Sequence, residues 1–400
     1  MISLQIINMN VLIIHRYFWP ESLSTLPIMF RDVVNFHFEN GDNVNVVCGA
    51  QSDYTAEYQE EFGSKLSVDT FKSDIDRNLS LFGRLKNAFK LFRLSQKFLR
   101  ANSDIDLVYL VSYPPLLAGL LASYIRTKNK KARTIYIVQD ILNYRIPTAI
   151  GKSVYKRFHK WVLSKVNYVI TLSDSMKSEL LSLFNDSERN KFDKSVWIIP
   201  NFSTEAVNLD SVLPQKKVDI VYAGNHGHAQ NLFHFIDVLA TLDLPDRPIV
   251  HFYGSGTARQ KLISYAKDKN VDISFNEPVS RDVAQVKMSE ARFGLVGAVP
   301  GLMRFAFPSK LAAYNTAGTS GILMAEEENE VSHWIRNEEF GNVIDPTQKA
   351  LAKQQILDIL NGPSGEYNPT ALREKAALFY SKSNYIERLR NMLKTEKFDV

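Results

Sequence analysis

The run Pro308-Ser309-Lys310 has the residue types that bind an anion. Proline followed by serine is typical of a helix start, where free backbone N–H groups and the helix dipole favour negative charge. Lys310 adds a full positive charge, and the guanidinium of Arg304 just upstream has the donor geometry that suits phosphate oxygens. We expect Arg304, Ser309 and Lys310 to bind a diphosphate. The alternative is an ordinary proline-started helix with a surface lysine.

Two glycine turns in the same half of the chain follow apolar runs. Gly224 precedes Asn225, and Gly254 begins a Gly-Ser-Gly sequence. Glycine lets a ligand or a neighbouring backbone approach closely. Neither turn completes a dinucleotide fingerprint, and no P-loop motif occurs in the chain. We therefore expect Gly224, Asn225 and Gly254 to lie beside the diphosphate rather than to form a separate nucleotide motif.

Two histidines follow the first of these turns. His226 and His228 lie two residues apart, without a cysteine or a clustered carboxylate beside them. A zinc site needs more ligands than this pair supplies, so a structural or phosphate-contacting role is favoured. We place His226 among the donor-binding residues, and we expect no metal and no cofactor.

Two polar residues in the first half have positions that suit the orientation of a sugar. Asp140 comes just after the apolar run Ile-Tyr-Ile-Val, and His15 ends the first apolar run of the chain. Polar groups at the carboxyl ends of parallel strands face the usual ligand position. We expect Asp140 and His15 to position a sugar, with an N-cap as the alternative for Asp140. No motif of a serine, metal or thiol hydrolase accompanies them.

Short β-branched runs alternate with helical patterns along the chain. This alternation predicts the strands and helices that position these residues. Strands are predicted at residues 11–15, 44–48, 107–111, 134–138, 168–171, 196–199, 219–222, 249–253, 271–275, 293–296, 321–324 and 342–344. Helices are predicted at residues 26–39, 85–100, 116–126, 153–165, 175–184, 232–242, 258–267, 281–289, 309–315, 327–337, 350–360, 371–380 and 384–394. Strand–helix alternation indicates doubly wound parallel sheets.

The alternation runs twice, which predicts two α/β domains with Rossmann-like sheets. Prolines and adjacent lysines interrupt the apolar pattern at residues 201–217. We therefore expect domains at residues 1–205 and 215–380. At 400 residues, with 45% apolar and 23% charged residues, the chain has the composition of a globular protein with two or three domains. Its single cysteine, Cys48, lies in an apolar run and is expected to be buried and unreactive.

Positive charge is concentrated in the first half. Residues 1–200 hold 26 Lys and Arg against 19 Asp and Glu, whereas residues 201–400 hold 22 against 24. The segment 77–100 has no acidic residue and has apolar residues at helical spacing. Its amphipathic pattern favours an anionic membrane surface, with a core-packing helix or nucleic acid as alternatives. The residues expected to face the membrane are Arg84, Lys86, Lys90, Arg93 and Lys97.

No run of about 20 apolar residues is present, as a membrane-spanning helix would need. The first ten residues lack the basic region and the cleavage site of a secretory signal. We therefore expect a cytoplasmic protein that associates peripherally with the inner face of the membrane.

In their order and spacing, several motifs resemble those of the family 4 glycosyltransferases, which use nucleotide sugars and retain anomeric configuration. The opening strand and its Tyr-Phe-Trp-Pro-Glu loop, a Gln-Asp-Ile element, a Val-Ile-Thr-Leu-Ser strand end, an Ile-Pro-Asn hinge, a Tyr-Ala-Gly-Asn turn and the Pro-Ser-Lys-Leu helix start carry the resemblance. These motifs lie at residues 11–21, 139–141, 169–177, 198–202, 222–225 and 308–318. The Gly-Asn turn and the Pro-Ser-Lys run resemble those of a subgroup that builds cell-surface polysaccharides.

The chain also departs from the family pattern. Many members have two glutamates eight residues apart in the last motif, where this chain has Phe305 and Ala313. The basic residues that often follow the glycine turn are absent as well, and Asn225 takes the first of these places.

The resemblance implies a GT-B fold, in which two Rossmann-like domains face each other across a cleft, and a C-terminal helix at 381–400 that packs back on the first domain. It implies transfer of a sugar from a nucleoside-diphosphate sugar on the second domain to a lipid-linked saccharide on the first, with no nucleic acid partner. A catalytically silent GT-B subunit that binds a saccharide or a partner transferase is the main alternative. A nucleotide-sugar epimerase of the same fold is a further one.

Overall fold

A computed structural model of the chain describes residues 8–21, 25–73, 79–112, 115–142, 146–203, 209–243, 247–362 and 368–395. Arg77, at which the expected basic segment begins, lies outside these residues. The expected boundaries at residues 205 and 400 lie outside them as well. The chain divides into two compact units. One comprises residues up to Pro200 together with those from Ile386 onward, and the other runs from Asn201 to Tyr385.

The first unit is built on a seven-stranded parallel sheet whose strand order is β3-β2-β1-β4-β5-β6-β7. Its strands are β1 (Asn10–Ile14), β2 (Asn43–Ala50), β3 (Leu66–Lys72), β4 (Leu107–Val111), β5 (Arg133–Ile137), β6 (Tyr168–Thr171) and β7 (Val196–Ile198). Its helices are α1 (Thr25–Glu39), α2 (Thr55–Phe62), α3 (Leu81–Ala101), α4 (Pro115–Lys128), α5 (Ala149–Leu163), α6 (Asp174–Leu181) and α7 (Asp186–Asp193).

The second unit has a six-stranded parallel sheet of strand order β10-β9-β8-β11-β12-β13. The strands are β8 (Val218–Ala223), β9 (Val250–Tyr253), β10 (Ser274–Asn276), β11 (Ala291–Gly297), β12 (Ser320–Met324) and β13 (Gly341–Ile344). The helices are α8 (Leu232–Leu239), α9 (Arg259–Asp268), α10 (Arg281–Ser289), α11 (Ser309–Thr316), α12 (Glu330–Asn337), α13 (Lys349–Asn361), α14 (Pro369–Phe379) and α15 (Lys382–Thr395), of which the last continues into the first unit.

The predicted strands and helices are confirmed to within a few residues at most ends. Central strands such as β4 and β5 have almost every side chain buried, which explains their continuous apolar runs. Ser173 accepts a hydrogen bond from the backbone N–H of Met176 and so caps the N-terminus of α6. Cys48 is fully buried, as expected, and burial raises the pKa of its thiol.

Three elements were missed because they bury few or no side chains. β3 lies at the edge of its sheet and is mostly exposed, and α2 buries only Tyr58 and Phe62. α7 buries no side chain and depends instead on a capping box between Asn185 and Glu188. Apolar periodicity carries no signal for elements of this kind.

The end of α15 belongs to the first unit. The guanidinium of Arg390 lies 5.4 Å from the ring centre of Phe36 on α1, a cation–π distance. Leu389 and Met392 are buried on the same helix.

Each sheet has one position where the strand order reverses. In the first unit this position lies between β1 and β4, and in the second between β8 and β11. The loops that leave such neighbouring strands diverge, and ligands of doubly wound sheets bind there. His15 follows β1 directly, and Gly224 follows β8 directly.

Candidate functional site

The best-defined candidate site lies in the second unit, where Lys310 packs against the Gly224 turn. Gly224 has φ +146°, and a Cβ at this position would overlap Cε of Lys310 and lie 3.1 Å from its Nζ. The ammonium also lies 5.3 Å from the ring centre of Tyr222. Only a glycine therefore leaves room for the lysine, which explains the pairing of the two motifs.

Helix α11 holds Lys310 through Tyr314, one turn later on the same face. The Tyr314 hydroxyl accepts a hydrogen bond from the backbone N–H of Ala223 at 3.1 Å and donates to the carbonyl of Leu295 at 3.2 Å. It thus joins the ends of β8 and β11, and its ring packs where any side chain at Gly294 would lie. Tyr314 appeared in the sequence only as part of a motif; its role is to fix the helix to the glycine turn.

The ammonium of Lys310 makes no hydrogen bond or ion pair with the part of the chain that the structure describes, and burial lowers its pKa to about 8. A partly desolvated cation without a counter-charge lowers the stability of the folded protein. Such a cation therefore usually marks a binding site for an anion. The first turn of α11 adds backbone donors, because no side chain caps it. Ser309 is exposed at this same helix start.

The second glycine turn closes against the first. Gly254 has φ +137°, and a Cβ there would overlap the carbonyl oxygen of Gly224. The backbone N–H of His226 donates to the carbonyl of Ser255 at 2.7 Å. These contacts bring Gly224, His226, Gly254 and Lys310 together, and their binding of a diphosphate remains a prediction. Asn225 is exposed in the same turn, and its carbonyl accepts from the hydroxyl of Tyr222 at 2.6 Å.

His226 is fully buried among aromatic rings, and neither of its ring nitrogens has a hydrogen-bond partner among the residues that the structure describes. Burial and the charges of Arg259 and Lys310 lower its pKa to about 4, so the imidazole is neutral at pH 7. A neutral imidazole has one N–H donor and one acceptor nitrogen. His228, in contrast, is exposed.

Arg304 lies apart from these turns along the chain. It is exposed at the end of a 3-10 helix, Leu302–Arg304, which follows Gly301 at φ +75°. The backbone N–H of Gly301 donates to Oε1 of Glu326 at 2.7 Å. This hydrogen bond links the loop that carries Arg304 to Glu326, two residues after the end of β12. A diphosphate contact of Arg304 remains a prediction.

Sequence reasoning missed two charged residues near this loop system. Glu326 follows the carboxyl end of β12, a position that the predicted strand at 321–324 already indicated. Arg259 is the first residue of α9 and forms an ion pair with Glu277 at 2.9 Å. Its charge also contributes to the lowered pKa of His226. Its position after a Gly-Ser-Gly turn was the available signal, because helix starts after such turns bind anions.

In the first unit, His15 is buried at the end of β1. Its Nδ1 lies 2.5 Å from the carbonyl oxygen of Tyr17, so Nδ1 carries the proton and Nε2 is the acceptor nitrogen. Burial and the adjacent Arg16 lower its pKa to about 4. A neutral acceptor nitrogen suits the orientation of a hydroxyl group, but this role remains a prediction.

Asp140 is half-buried three residues after the end of β5. Burial and the nearby charge of Asp140 raise the pKa of Tyr155 on α5 to about 12. The hydroxyl of Tyr155 also accepts a hydrogen bond from the backbone N–H of Leu142. Only β4 lies between β5 and β1 in the sheet, so Asp140 and His15 leave the same edge of the sheet two strands apart. A sugar-positioning role for Asp140 also remains a prediction.

Among the described residues, no group of three or more His, Cys, Asp and Glu side chains is arranged to hold a metal ion. The expectation that the protein uses no metal and no cofactor is not tested by this observation.

The comparisons with known proteins concern both sequence and fold. Residues 30–202 match the family model of Glycosyltransferase Family 4, and no curated protein sequence matches the chain. Sucrose-phosphate synthase from Thermosynechococcus elongatus is similar in structure, with TM-score 0.72 and 13% identity over 97% of this chain and 99% of that one.

Two further solved structures are similar to the chain. One is TarM of S. aureus in complex with UDP, with TM-score 0.66 and 12% identity over 98% of this chain and 100% of that one. The other is the lipopolysaccharide outer core galactosyltransferase WaaB, with TM-score 0.65 and 14% identity over 97% and 100%. The chain thus has the GT-B fold of two Rossmann-like domains, and its residues 30–202 resemble Glycosyltransferase Family 4.

Proposed function

We propose that the protein is a glycosyltransferase that moves a sugar from a nucleoside-diphosphate sugar to a saccharide acceptor. The observation that carries the proposal is the ammonium of Lys310, which lies without an ion-pair partner among the described residues against the Gly224 turn. A diphosphate supplies the missing anion. The match of residues 30–202 to Glycosyltransferase Family 4 and the GT-B fold support this assignment.

In the proposed reaction, the bond between the anomeric carbon and the diphosphate oxygen breaks while an acceptor hydroxyl oxygen bonds to that carbon. The nucleoside diphosphate leaves with the bonding electron pair, and its departing oxygen takes up the proton of the acceptor hydroxyl. Lys310 and the N–H groups at the start of α11 stabilise the charge that develops on the leaving group. Arg304 is proposed to contact the same phosphates, and His15 and Asp140 to orient the sugar. The resemblance implies retention of anomeric configuration.

We further propose that the acceptor is a lipid-linked saccharide in cell-surface polysaccharide synthesis, used at the inner face of the membrane. The first unit would bind this acceptor and the second unit the donor. Support for the location comes from the basic surface of the first unit, whose residues Arg84, Lys86, Lys90, Arg93 and Lys97 are all exposed on α3.

A catalytically silent subunit is the alternative that a specific observation favours. Phe305 and Ala313 hold the places of the glutamate pair, and neither side chain can hydrogen-bond a ribose or a sugar. Glu326 accepts a hydrogen bond from the backbone N–H of Gly301, in the loop that carries Arg304. An epimerase is the third reading, since a putative UDP-N-acetylglucosamine 2-epimerase of Listeria monocytogenes shares the fold with TM-score 0.57.

The deciding experiment follows nucleotide release from UDP-, GDP- and other nucleotide sugars, with and without a lipid-linked acceptor extract. A transferase should release nucleotide with one donor and should do so faster with acceptor, and NMR of the product should show the donor's anomeric configuration. Nucleotide binding without release would identify the silent subunit. A new nucleotide sugar without release would identify an epimerase.

The affinity for a nucleoside diphosphate is expected to fall as the pH rises through 8. The charged form of Lys310 predominates below its pKa of about 8 and disappears above it, so binding must take up a proton at high pH. Calorimetric titration with UDP should give about tenfold weaker binding at pH 9 than at pH 7. Lys310→Arg should remove most of this dependence, because arginine stays charged at both values. The same dependence in both proteins would exclude Lys310 as its source.

A further inference from the structure

Among the side chains that the structure describes, seven large apolar ones are exposed on three consecutive helices of the first unit. Their exposed fractions range from 41% to 80%, well above those of core residues. They are Phe82, Leu85 and Phe89 on α3, Leu116 and Leu120 on α4, and Ile150 and Val154 on α5. Within each helix they recur at spacings of three or four and lie in its N-terminal half, so each helix shows one short apolar stripe.

The three helices lie side by side on one face of the sheet. They connect β3 to β4, β4 to β5 and β5 to β6 in the same direction along the sheet, which puts right-handed crossovers on one face. α4 packs against both neighbours: Arg100 of α3 donates to the hydroxyl of Tyr124, and Gly119 lies directly against the ring of Trp161 of α5. Their N-terminal halves therefore meet at the carboxyl edge of the sheet, where ligands bind.

The charge of this surface identifies its partner. α3, α4 and α5 together contain twelve Lys and Arg and no Asp or Glu. Most of these cations are exposed, among them Lys86, Lys90, Lys152 and Arg157, and Lys160 is paired with Glu188 of α7. An exposed apolar patch with a uniformly basic surround complements an anionic bilayer, where apolar side chains enter the interface and cations meet the headgroups.

We propose that the N-terminal halves of α3, α4 and α5 form one membrane-inserting surface, with Phe82, Phe89 and Ile150 as its deepest side chains. The inference extends the sequence prediction, an amphipathic basic helix within residues 77–100, to the exposed apolar side chains of α4 and α5. α3 also packs in the core through Leu91, Phe98 and Leu99, so the core-packing alternative applies to the helix from Leu91 onward and the proposed membrane surface to the part before it. No helix among the described residues is long and apolar enough to cross a bilayer, so the proposed attachment is interfacial.

Only the biological role of this surface rests on the proposed function. A lipid-linked acceptor explains why a membrane-inserting surface borders the part of the first unit that is proposed to bind the acceptor. Co-sedimentation with vesicles of phosphatidylcholine and phosphatidylglycerol (3:1) tests it directly. The change Phe82→Ser, Phe89→Ser and Ile150→Ser should weaken binding by at least about tenfold at both 0.1 M and 0.5 M NaCl. The matched control Val212→Ser, Val286→Ser and Leu378→Ser removes exposed apolar groups of the second unit and should bind normally.

A variant with fewer positive charges distinguishes insertion of the apolar side chains from electrostatic attraction to the headgroups alone. Arg84, Lys86, Lys90 and Arg93 changed to Gln should weaken binding by about fivefold per residue at low salt. The difference from the unmodified protein should shrink at 0.5 M NaCl, where screening removes the electrostatic part. If the serine variant binds vesicles as well as the unmodified protein does, the insertion proposal is wrong and the cations alone account for attachment.

A fluorescent label gives the second readout. Cys48 is buried and its thiol pKa is raised, so a cysteine placed at Phe89 is the reactive one. An environment-sensitive dye there should shift to the blue on addition of vesicles, whereas a dye at Leu378→Cys should not. A shift that follows protein concentration without vesicles would instead assign the surface to a second copy of the chain. Calorimetric UDP binding of the serine variant should be unchanged, so failure of the surface and failure of the proposed function are distinguishable.

Discussion

Lys310→Ala is expected to weaken the binding of UDP and GDP by about tenfold or more. A charge-assisted hydrogen bond is worth about 1.5–3 kcal/mol, and tenfold in affinity corresponds to about 1.4 kcal/mol. The basic residues that often follow the glycine turn in family 4 glycosyltransferases are absent from this chain, so under the proposed function the ammonium beside Gly224 neutralises a large share of the phosphate charge. Isothermal titration calorimetry of both proteins measures the difference.

Loss of binding through misfolding must be excluded. Lys310→Met keeps the aliphatic stem against Gly224 and the Tyr222 ring but removes a buried cation that has no ion-pair partner among the described residues. We expect it to be at least as stable as the unmodified protein in thermal unfolding while binding nucleotide as weakly as Lys310→Ala. Lys310→Arg should partly restore affinity, whereas Arg304→Lys should weaken it through loss of the planar donor fork.

Equal affinity in Lys310→Ala and the unmodified protein would move the phosphate site elsewhere. The neutral imidazole of His226 and the guanidinium of Arg259 are then the next candidates. If the unmodified protein binds no nucleotide at all, the silent-subunit reading replaces the proposed function.

Gly254→Ala is expected to lower the stability of the second unit by about 3 kcal/mol or more and to abolish nucleotide binding. An alanine would adopt φ +137°, which L-residues rarely tolerate, and its methyl group would overlap the carbonyl oxygen of Gly224. Backbone strain and overpacking each cost about 1–3 kcal/mol. Relief of the overlap requires the two glycine turns to separate, which moves Gly224 away from Lys310. Differential scanning calorimetry should show a fall of roughly 10 °C in the transition of this unit.

Gly301→Ala is the matched control. Gly301 also has a positive φ, at +75°, but a Cβ there would have no neighbour within 4 Å. Its cost should be about 1 kcal/mol, that of the backbone conformation alone. If the two variants lose the same stability, the close approach of the glycine turns contributes nothing beyond backbone strain.

The sequence by itself determined the class of fold and most of its elements. Runs such as those of β4 and β5 are apolar throughout because both faces of a central parallel strand are buried. The Pro-Ser-Lys helix start and the two glycine turns were also visible, since anion binding and close backbone approach each demand particular residue types. Elements without a buried face, such as α7, gave no periodic signal.

Only the tertiary structure decided which of these residues meet. Lys310 and Gly224 are far apart in sequence, and their contact depends on the hydroxyl of Tyr314, which fixes α11 to the ends of β8 and β11. The apolar surface of α3, α4 and α5 likewise could not be seen in the sequence. An apolar residue at helical spacing has the same pattern whether it faces the core or the solvent, and only the packing of neighbouring helices leaves Phe82 and Ile150 uncovered.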